Sequence, residues 1–153
     1  MERNGNGVSA APLGNNEAMV TYFTPGLLDG CFVYIREWKL LSLEGGALVT
    51  STIPGPVLDD TTCGFTLIRV GGCVVAYATH HHSPRVPVWL MSVYTIDTGE
   101  WQNIEYVEGA MPEPRDSPDL FAFGDAFVVS GGYTGQGSEM LLHHGVWEWS
   151  SQS

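Results

Sequence analysis

Trp89-Leu90-Met91-Ser92-Val93-Tyr94-Thr95-Ile96, then Asp97-Thr98-Gly99-Glu100-Trp101, then Met111-Pro112-Glu113-Pro114-Arg115, then an apolar run ending in Ser130-Gly131-Gly132: this succession decides the fold. The first segment is rich in β-branched and aromatic residues and is bounded by turn residues, so it reads as a strand. Asp97-Thr98-Gly99 is a turn that returns the chain into a second strand, Trp101 to Val107. The proline-arginine segment is a link, and Leu120 to Ser130 contains a further pair of short strands. Nothing in this order leaves room for a helix.

The same order of parts recurs. Gly30-Cys31-Phe32-Val33-Tyr34-Ile35, Gly72-Cys73-Val74-Val75-Ala76-Tyr77 and Gly124-Asp125-Ala126-Phe127-Val128-Val129-Ser130 each open on glycine and continue as a short apolar run. Their glycines lie 42 and 52 positions apart (30 to 72, 72 to 124), the spacing of repeats built from one small sheet each. Each run is expected to be a strand buried on both faces. Phe65 to Val70 before Gly71-Gly72, and Leu120 to Phe123 before Gly124-Asp125, supply the preceding arm of a hairpin. In the first unit Thr24-Pro25-Gly26 occupies that place, which displaces the inner strand toward Ala18 to Phe23. A tryptophan-bearing strand follows each hairpin, at Trp38 to Leu43, Trp89 to Ile96 and Val146 to Trp149. A fourth strand follows twice, at Ala47 to Thr52 and Trp101 to Val107. Four antiparallel strands per unit is the build of a propeller blade.

These residues resemble the kelch-repeat family. Asp97-Thr98-Gly99-Glu100-Trp101 resembles its aspartate, turn and tryptophan step, Met111 to Arg115 its proline-arginine link between blades, and Gly131-Gly132 the double glycine that ends its second strand. There are departures. The corresponding strands of the first two units end at Tyr34-Ile35 and Tyr77-Ala78 without a double glycine, Ile96 stands where the family has an aromatic residue, and Pro54-Gly55-Pro56-Val57 lacks the arginine. The resemblance implies an all-β fold, a kelch-type β-propeller fragment of about three four-stranded blades with the last incomplete. The blades would span residues 17–56, 57–114 and 115–153 after a flexible N-terminal segment, residues 1–16. Three blades do not close a ring, since propellers use about four to eight. The chain is therefore expected to be a segment of a larger propeller, a truncated product, or a protein that completes itself by association. Trp38, Trp89, Trp101, Trp147 and Trp149 are expected to pack between blades.

Composition agrees with an all-β reading. Of 153 residues, 44% are apolar and 19 are glycine, against 15% charged, which suits a turn-rich β domain better than a helical bundle or a disordered chain. The formal net charge is -11, and between Asp97 and Asp125 eight acids stand against the single base Arg115. Such a surface repels phosphate backbones and anionic head groups, so neither nucleic acid nor membrane is an expected partner. Cys31, Cys63 and Cys73 are odd in number and lack C-x-x-C spacing. They are expected to be reduced thiols acting as small hydrophobes in a soluble, cytoplasmic protein. Met1 to Asn16 has no apolar core segment and does not read as a secretory signal or an anchor.

Candidate function lies in loops. His80-His81-His82 with Arg85 falls between the second and third strands of the middle unit, and His143-His144 in the matching connection of the next. In an up-and-down sheet that connection emerges on the same side as the link to the next blade. His80, His81, His82, Arg85, Arg115, Asp116, His143 and His144 are therefore expected to share one face, the partner-binding face. Consecutive histidines cannot easily converge on one ion, and a metal site needs three or four converging ligands. A solvated histidine loop is the expectation, with no cofactor. Arg115 either pairs within the interblade link, with Asp116, Asp119 or backbone carbonyls, or anchors an acidic partner. No hydrolase elbow, phosphate loop or metalloprotease motif is present. The kelch resemblance implies a protein–protein interaction module, a scaffold or adaptor that recruits a protein partner. The alternatives it leaves open are a metal-dependent enzyme on the same scaffold, oxidase-like or specifier-like with the histidines as ligands, and a truncated propeller without independent function.

Overall fold

The computed structural model describes residues 8–56, 62–81, 89–105, 118–123, 126–131 and 144–148. These form β-strands joined by tight turns: β1 (Ser9–Gly14), β2 (Glu17–Leu28), β3 (Cys31–Glu44), β4 (Ala47–Thr52), β5 (Thr62–Val70), β6 (Cys73–His81), β7 (Trp89–Thr95), β8 (Glu100–Glu105), β9 (Asp119–Phe123), β10 (Ala126–Ser130) and β11 (His144–Glu148). They make three separate antiparallel sheets in chain order, β1-β2-β3-β4, β5-β6-β7-β8 and β9-β10-β11. Among the described residues there is no helix, and none is long and apolar enough to cross a membrane.

The turns explain why these residues fold as hairpins. Asn15-Asn16, Asp29-Gly30 and Gly45-Gly46 all have positive φ at both positions, the signature of the type I′ turn whose twist matches that of paired strands. Gly71 has φ 59 and Gly72 does not have a positive value, the φ pattern of a type II′ turn. The β7–β8 turn is longer: Gly99 N donates to Thr95 O at 2.8 Å and Glu100 N to Thr98 Oγ1 at 3.3 Å, and Gly99 takes φ 74.

The middle sheet is covered on both faces. Cross-strand rows Val74–Tyr94–Trp101 and Ala76–Ser92–Asn103 face the first sheet. There they meet Ala11, Met19 and Trp38, with Phe65 and Leu67 completing the same cluster. Rows Val75–Val93–Gln102 and Tyr77–Met91–Ile104 face the third sheet, where Val75, Tyr77, Met91 and Val93 pack with Phe127 and Val129. Each such buried side chain contributes about 1.5–3 kcal/mol. Cys73 to Tyr77 is accordingly buried without a break, as the continuous apolar run predicts. Buried Ser92 donates its hydroxyl hydrogen bond to Asn103 Oδ1 in the same row.

The first strands of successive sheets, β1, β5 and β9, lie next to one another. Ser9 Oγ accepts from Leu67 N at 2.9 Å, and Arg69 Nη1 donates to Pro12 O at 3.4 Å. Advancing along β1 thus advances along β5, so the two strands run in the same direction. Between the first two sheets sits Trp38, edge-on to Phe65 with centroids 5.6 Å apart and to Trp101 at 5.1 Å. Trp101 Nε1 donates to Pro54 O at 3.0 Å, and Ile53 N to Trp38 O at 3.0 Å. The two tryptophans pack between sheets as expected. The side chains of Trp89, Trp147 and Trp149 lie outside the described residues.

The first unit departs from the sequence expectation. The strand content begins at Ser9, inside the segment 1–16 that composition marks as flexible, and the first sheet does not begin at residue 17. Pairing of Ser9–Gly14 with Glu17–Thr21 and burial of Ala11 hold a segment whose side chains are too small to announce a strand. Cys31–Glu44 is a single strand of 14 residues, not two, and Gly30 sits in the turn between the second and third strands of its sheet. It is therefore not equivalent to Gly72, which lies in the turn between the first and second strands of its sheet. Cys31 to Ile35 is not a doubly buried run, since Cys31, Phe32 and Ile35 are exposed.

Gly55 carries the tightest requirement of the first interface, because a Cβ there would collide with Cγ, Cδ1 and Nε1 of the buried Trp38 ring. Gly55→Ala is expected to destabilise the chain by about 1–3 kcal/mol through overpacking, with a shift in tryptophan fluorescence. Urea unfolding followed by that emission checks both.

Candidate functional site

Sheet pairing in the first sheet stops before its middle strands do. β1 ends its pairing with β2 at Ser9↔Thr21, and β4 ends with β3 at Lys39↔Thr52. β2 and β3 continue alone through Tyr22↔Glu37 to Leu28↔Cys31. This two-stranded arm is turned by Asp29-Gly30 and is apolar on both faces. Leu27, Leu28 and Phe32 are 68%, 64% and 81% exposed, and Ile35 and Cys31 are exposed as well.

The base of the arm is fixed by a polar and aromatic joint. Arg36 Nη1 donates to Thr21 Oγ1 at 2.9 Å, and the same hydroxyl donates to Glu37 O at 2.9 Å. The Arg36 guanidinium carbon lies 4.0 Å from the Phe23 ring centroid and 5.3 Å from that of Phe65. Each such contact contributes about 0.5–1 kcal/mol at an exposed site. Phe65 belongs to β5 and Phe23 to β2, so one cation ties the arm to the neighbouring sheet. Thr24 Oγ1 adds a bond of 3.4 Å to Glu37 Oε2.

Strand direction places the arm relative to the histidines. β1 and β5 run the same way, so β2 and β6 both run the other way and finish at the same end. His80 and His81 are the last residues of β6, and Trp89 and Glu105 pair at that end of the middle sheet. The arm therefore leaves the first sheet at the end where the His80-His81 segment leaves the second. Both are connections between a second and a third strand. His144 opens β11 opposite Ser130. The side chains of His80, His81 and His144, and all of His82, Arg85, Arg115, Asp116 and His143, lie outside the described residues, as does the link Met111 to Arg115.

Sequence reasoning missed the arm. The signal was present: Asp-Gly at 29–30, flanked by Leu27-Leu28 and Cys31-Phe32, is a two-residue hairpin turn. Among the described residues no group of three His, Cys, Asp or Glu converges. What the end offers is apolar surface with an arginine and aromatic rings at its root, a composition suited to protein recognition. No protein-family model matches the chain, and no curated protein matches it either.

Two outcomes follow from this geometry. Thr21 is fully buried, and Thr21→Val removes both bonds of its hydroxyl, so the variant is expected to lose about 1–2 kcal/mol of stability. Hydrogen exchange of arm amides should accelerate more than that of β6. Cys31 in the native protein should react with maleimide within minutes, whereas buried Cys73 should react only after denaturant is added; peptide mapping by mass spectrometry separates the sites.

Proposed function

We propose that the chain is an arc of a kelch-type β-propeller that works as a protein–protein interaction module, a scaffold or adaptor holding one end of its sheets toward a protein partner. Three small meander sheets stacked face to face in chain order, with their first strands side by side, support the propeller reading. The Trp101 bond to Pro54 supports it as well, since it ties a tryptophan after the aspartate turn to the proline link between sheets.

The observation that carries the functional reading is the β2–β3 arm. Surface of this kind costs solubility unless something covers it in use, and contiguous exposed apolar patches mark interaction sites. Leu27 and Phe32 are cross-strand partners and form one apolar unit on one face of the arm. Aromatic anchors of this type carry most of the energy at protein interfaces. The chain's formal net charge of -11 leaves nucleic acid and anionic lipid as poor occupants.

A photo-crosslinking amino acid placed at position 32 in the source cell is expected to give an adduct of defined mass with another protein. The same group at exposed Thr98, in the β7–β8 turn at the opposite end of the middle sheet, should give none. Phe32→Ser should weaken binding of the captured partner at least about tenfold while leaving the melting temperature within about 2 °C. Absence of an adduct at 32, or equal adducts at 32 and 98, would sink the reading.

A further inference from the structure

The two edges of the β2–β3 arm differ, and the hydrogen-bond phase of the first sheet decides how. The type I′ turn at Asp29-Gly30 closes on the pair Leu28↔Cys31, so this pair exchanges both backbone bonds and every second pair after it does the same. Odd-numbered residues of β3 therefore turn their backbone groups toward β2, and even-numbered ones turn theirs away. The bond from Ile53 N to Trp38 O at 3.0 Å, on the β4 side, fixes the same phase independently. Between the joint at Arg36 and Phe23 and the tip, the outward backbone groups are those of Phe32 and Tyr34 on β3, and of Leu27 and Pro25 on β2.

Pro25 has no N–H, so the β2 edge lacks a donor in its middle, a device by which an edge strand is made a poor template for pairing. The β3 edge has no such device. Cys31 to Ile35 contains no proline and no charged residue, and its pairing with β2 runs without a bulge. β4 covers this edge only as far as Lys39↔Thr52 and the Ile53 bond. The link then turns toward the middle sheet, where Pro54 O accepts from Trp101 Nε1 at 3.0 Å. Among the described residues no strand pairs with β3 beyond that point.

We infer that the β3 edge of the arm takes an extended segment of a partner protein as an added strand, in line with β4 and antiparallel to β3. The inference deepens the interaction-module reading above and rests on it. Phe32 and Tyr34 present their N–H and C=O groups in one row, which an extended backbone meets together; a helix has already paired its own. Segment residues opposite Phe32 and Tyr34 place their side chains on the face that holds Leu27 and Phe32, because paired positions share a face. Apolar residues there pack against the exposed Phe32 ring. Charge narrows the occupant further: Asp29 stands at the tip and the formal net charge of the chain is -11, so a segment without net negative charge is favoured.

Phage-displayed random peptides selected on the full chain supply the probe. Enriched peptides are expected to alternate apolar and polar residues with period two and to carry no net negative charge. N-methylation of the two alternate peptide residues that face β3 should weaken binding to the native chain at least about tenfold, and methylation of the residue between them less than about twofold. In the chain, exchange of Tyr34 for its α-hydroxy acid analogue puts an ester oxygen where the outward N–H stood and keeps the side chain. Affinity for the peptide should then fall at least about fivefold, with circular dichroism and melting temperature kept. The same exchange at Leu27, on the β2 edge, should leave affinity unchanged. Absence of enrichment, peptides with helical spacing, indifference to N-methylation, or equal losses from the esters at 27 and 34 overturns the strand addition. None of these results touches the crosslink at position 32, so an adduct there keeps the interaction module and removes only this mode of contact.

Discussion

Burial of Trp38 between the first and middle sheets is the constraint on which the architecture depends. The two sheets share no strand ladder, and the bonds from Leu67 N to Ser9 Oγ and from Arg69 Nη1 to Pro12 O reach only between β1 and β5. Further out the sheets are held by the Trp101 Nε1 bond to Pro54 O and by side-chain packing, in which Trp38 touches Phe65 of β5 and Trp101 of β8. It therefore spans the middle sheet from its first strand to its last. In the link that leaves the first sheet, Ile53 N donates to Trp38 O and Gly55 lies against the Trp38 ring. The link is routed by the tryptophan, and the position of the next sheet follows from the link. Stacked units of this kind gain stability mainly from contacts between neighbours, which is why one aromatic side chain can set the relation of two sheets.

Double burial of the middle sheet also explains which parts of the fold were legible. A strand covered on both sides loses the alternation of apolar and polar residues and becomes a continuous apolar run. Cys73 to Tyr77 is such a run, and its hairpin with Phe65 to Val70 was readable at the turn, although β5 begins earlier, at Thr62, and β6 runs on to His81. Among the described residues the first sheet is covered on one side only, so its signal is alternation spread over 12- and 14-residue strands. That pattern was divided at Arg36-Glu37, two charged residues in the middle of β3. The charges fit a strand there because Arg36 lies over the Phe23 and Phe65 rings and Glu37 accepts from Thr24. Both partners are distant in sequence and invisible to a local reading.

The candidate site was half legible for a related reason. Placing function in the connections between second and third strands follows from up-and-down topology alone, and it led to the His80-His81-His82 segment, of which His80 and His81 are the last residues of β6 and not part of a loop. In the first unit the same logic was applied to the wrong strand. Aligning Gly30 with Gly72 made the tip of the arm look like an inner turn, and its apolar residues look like core. Leu27, Leu28 and Phe32 have core composition and surface location; hydrophobic pattern reports the first and cannot report the second. Only the early ends of β1 and β4 reveal that, among the described residues, no neighbouring strand covers them.

An isolated two-stranded ribbon is marginally stable in water, so the arm's persistence needs an anchor. The joint at Thr21, Arg36 and Phe65 supplies it at one end, and the type I′ turn at Asp29-Gly30 sets the register at the other. Between them the strands carry hydrogen bonds to each other but, among the described residues, no strand lies beyond Tyr22–Leu28 or Cys31–Glu37 on their outer edges. Those edges can accept an added strand, while the faces offer Leu27 and Phe32 on one side and Leu28 and Ile35 on the other. A partner can therefore be held by backbone pairing and by apolar side chains at once, with register fixed by the first and selectivity by the second. Ordering cost is low on this side of such a contact, since the ribbon is already formed before binding. A short arm fixed at its root combines exposure with rigidity, a combination that a solvated loop of equal length lacks.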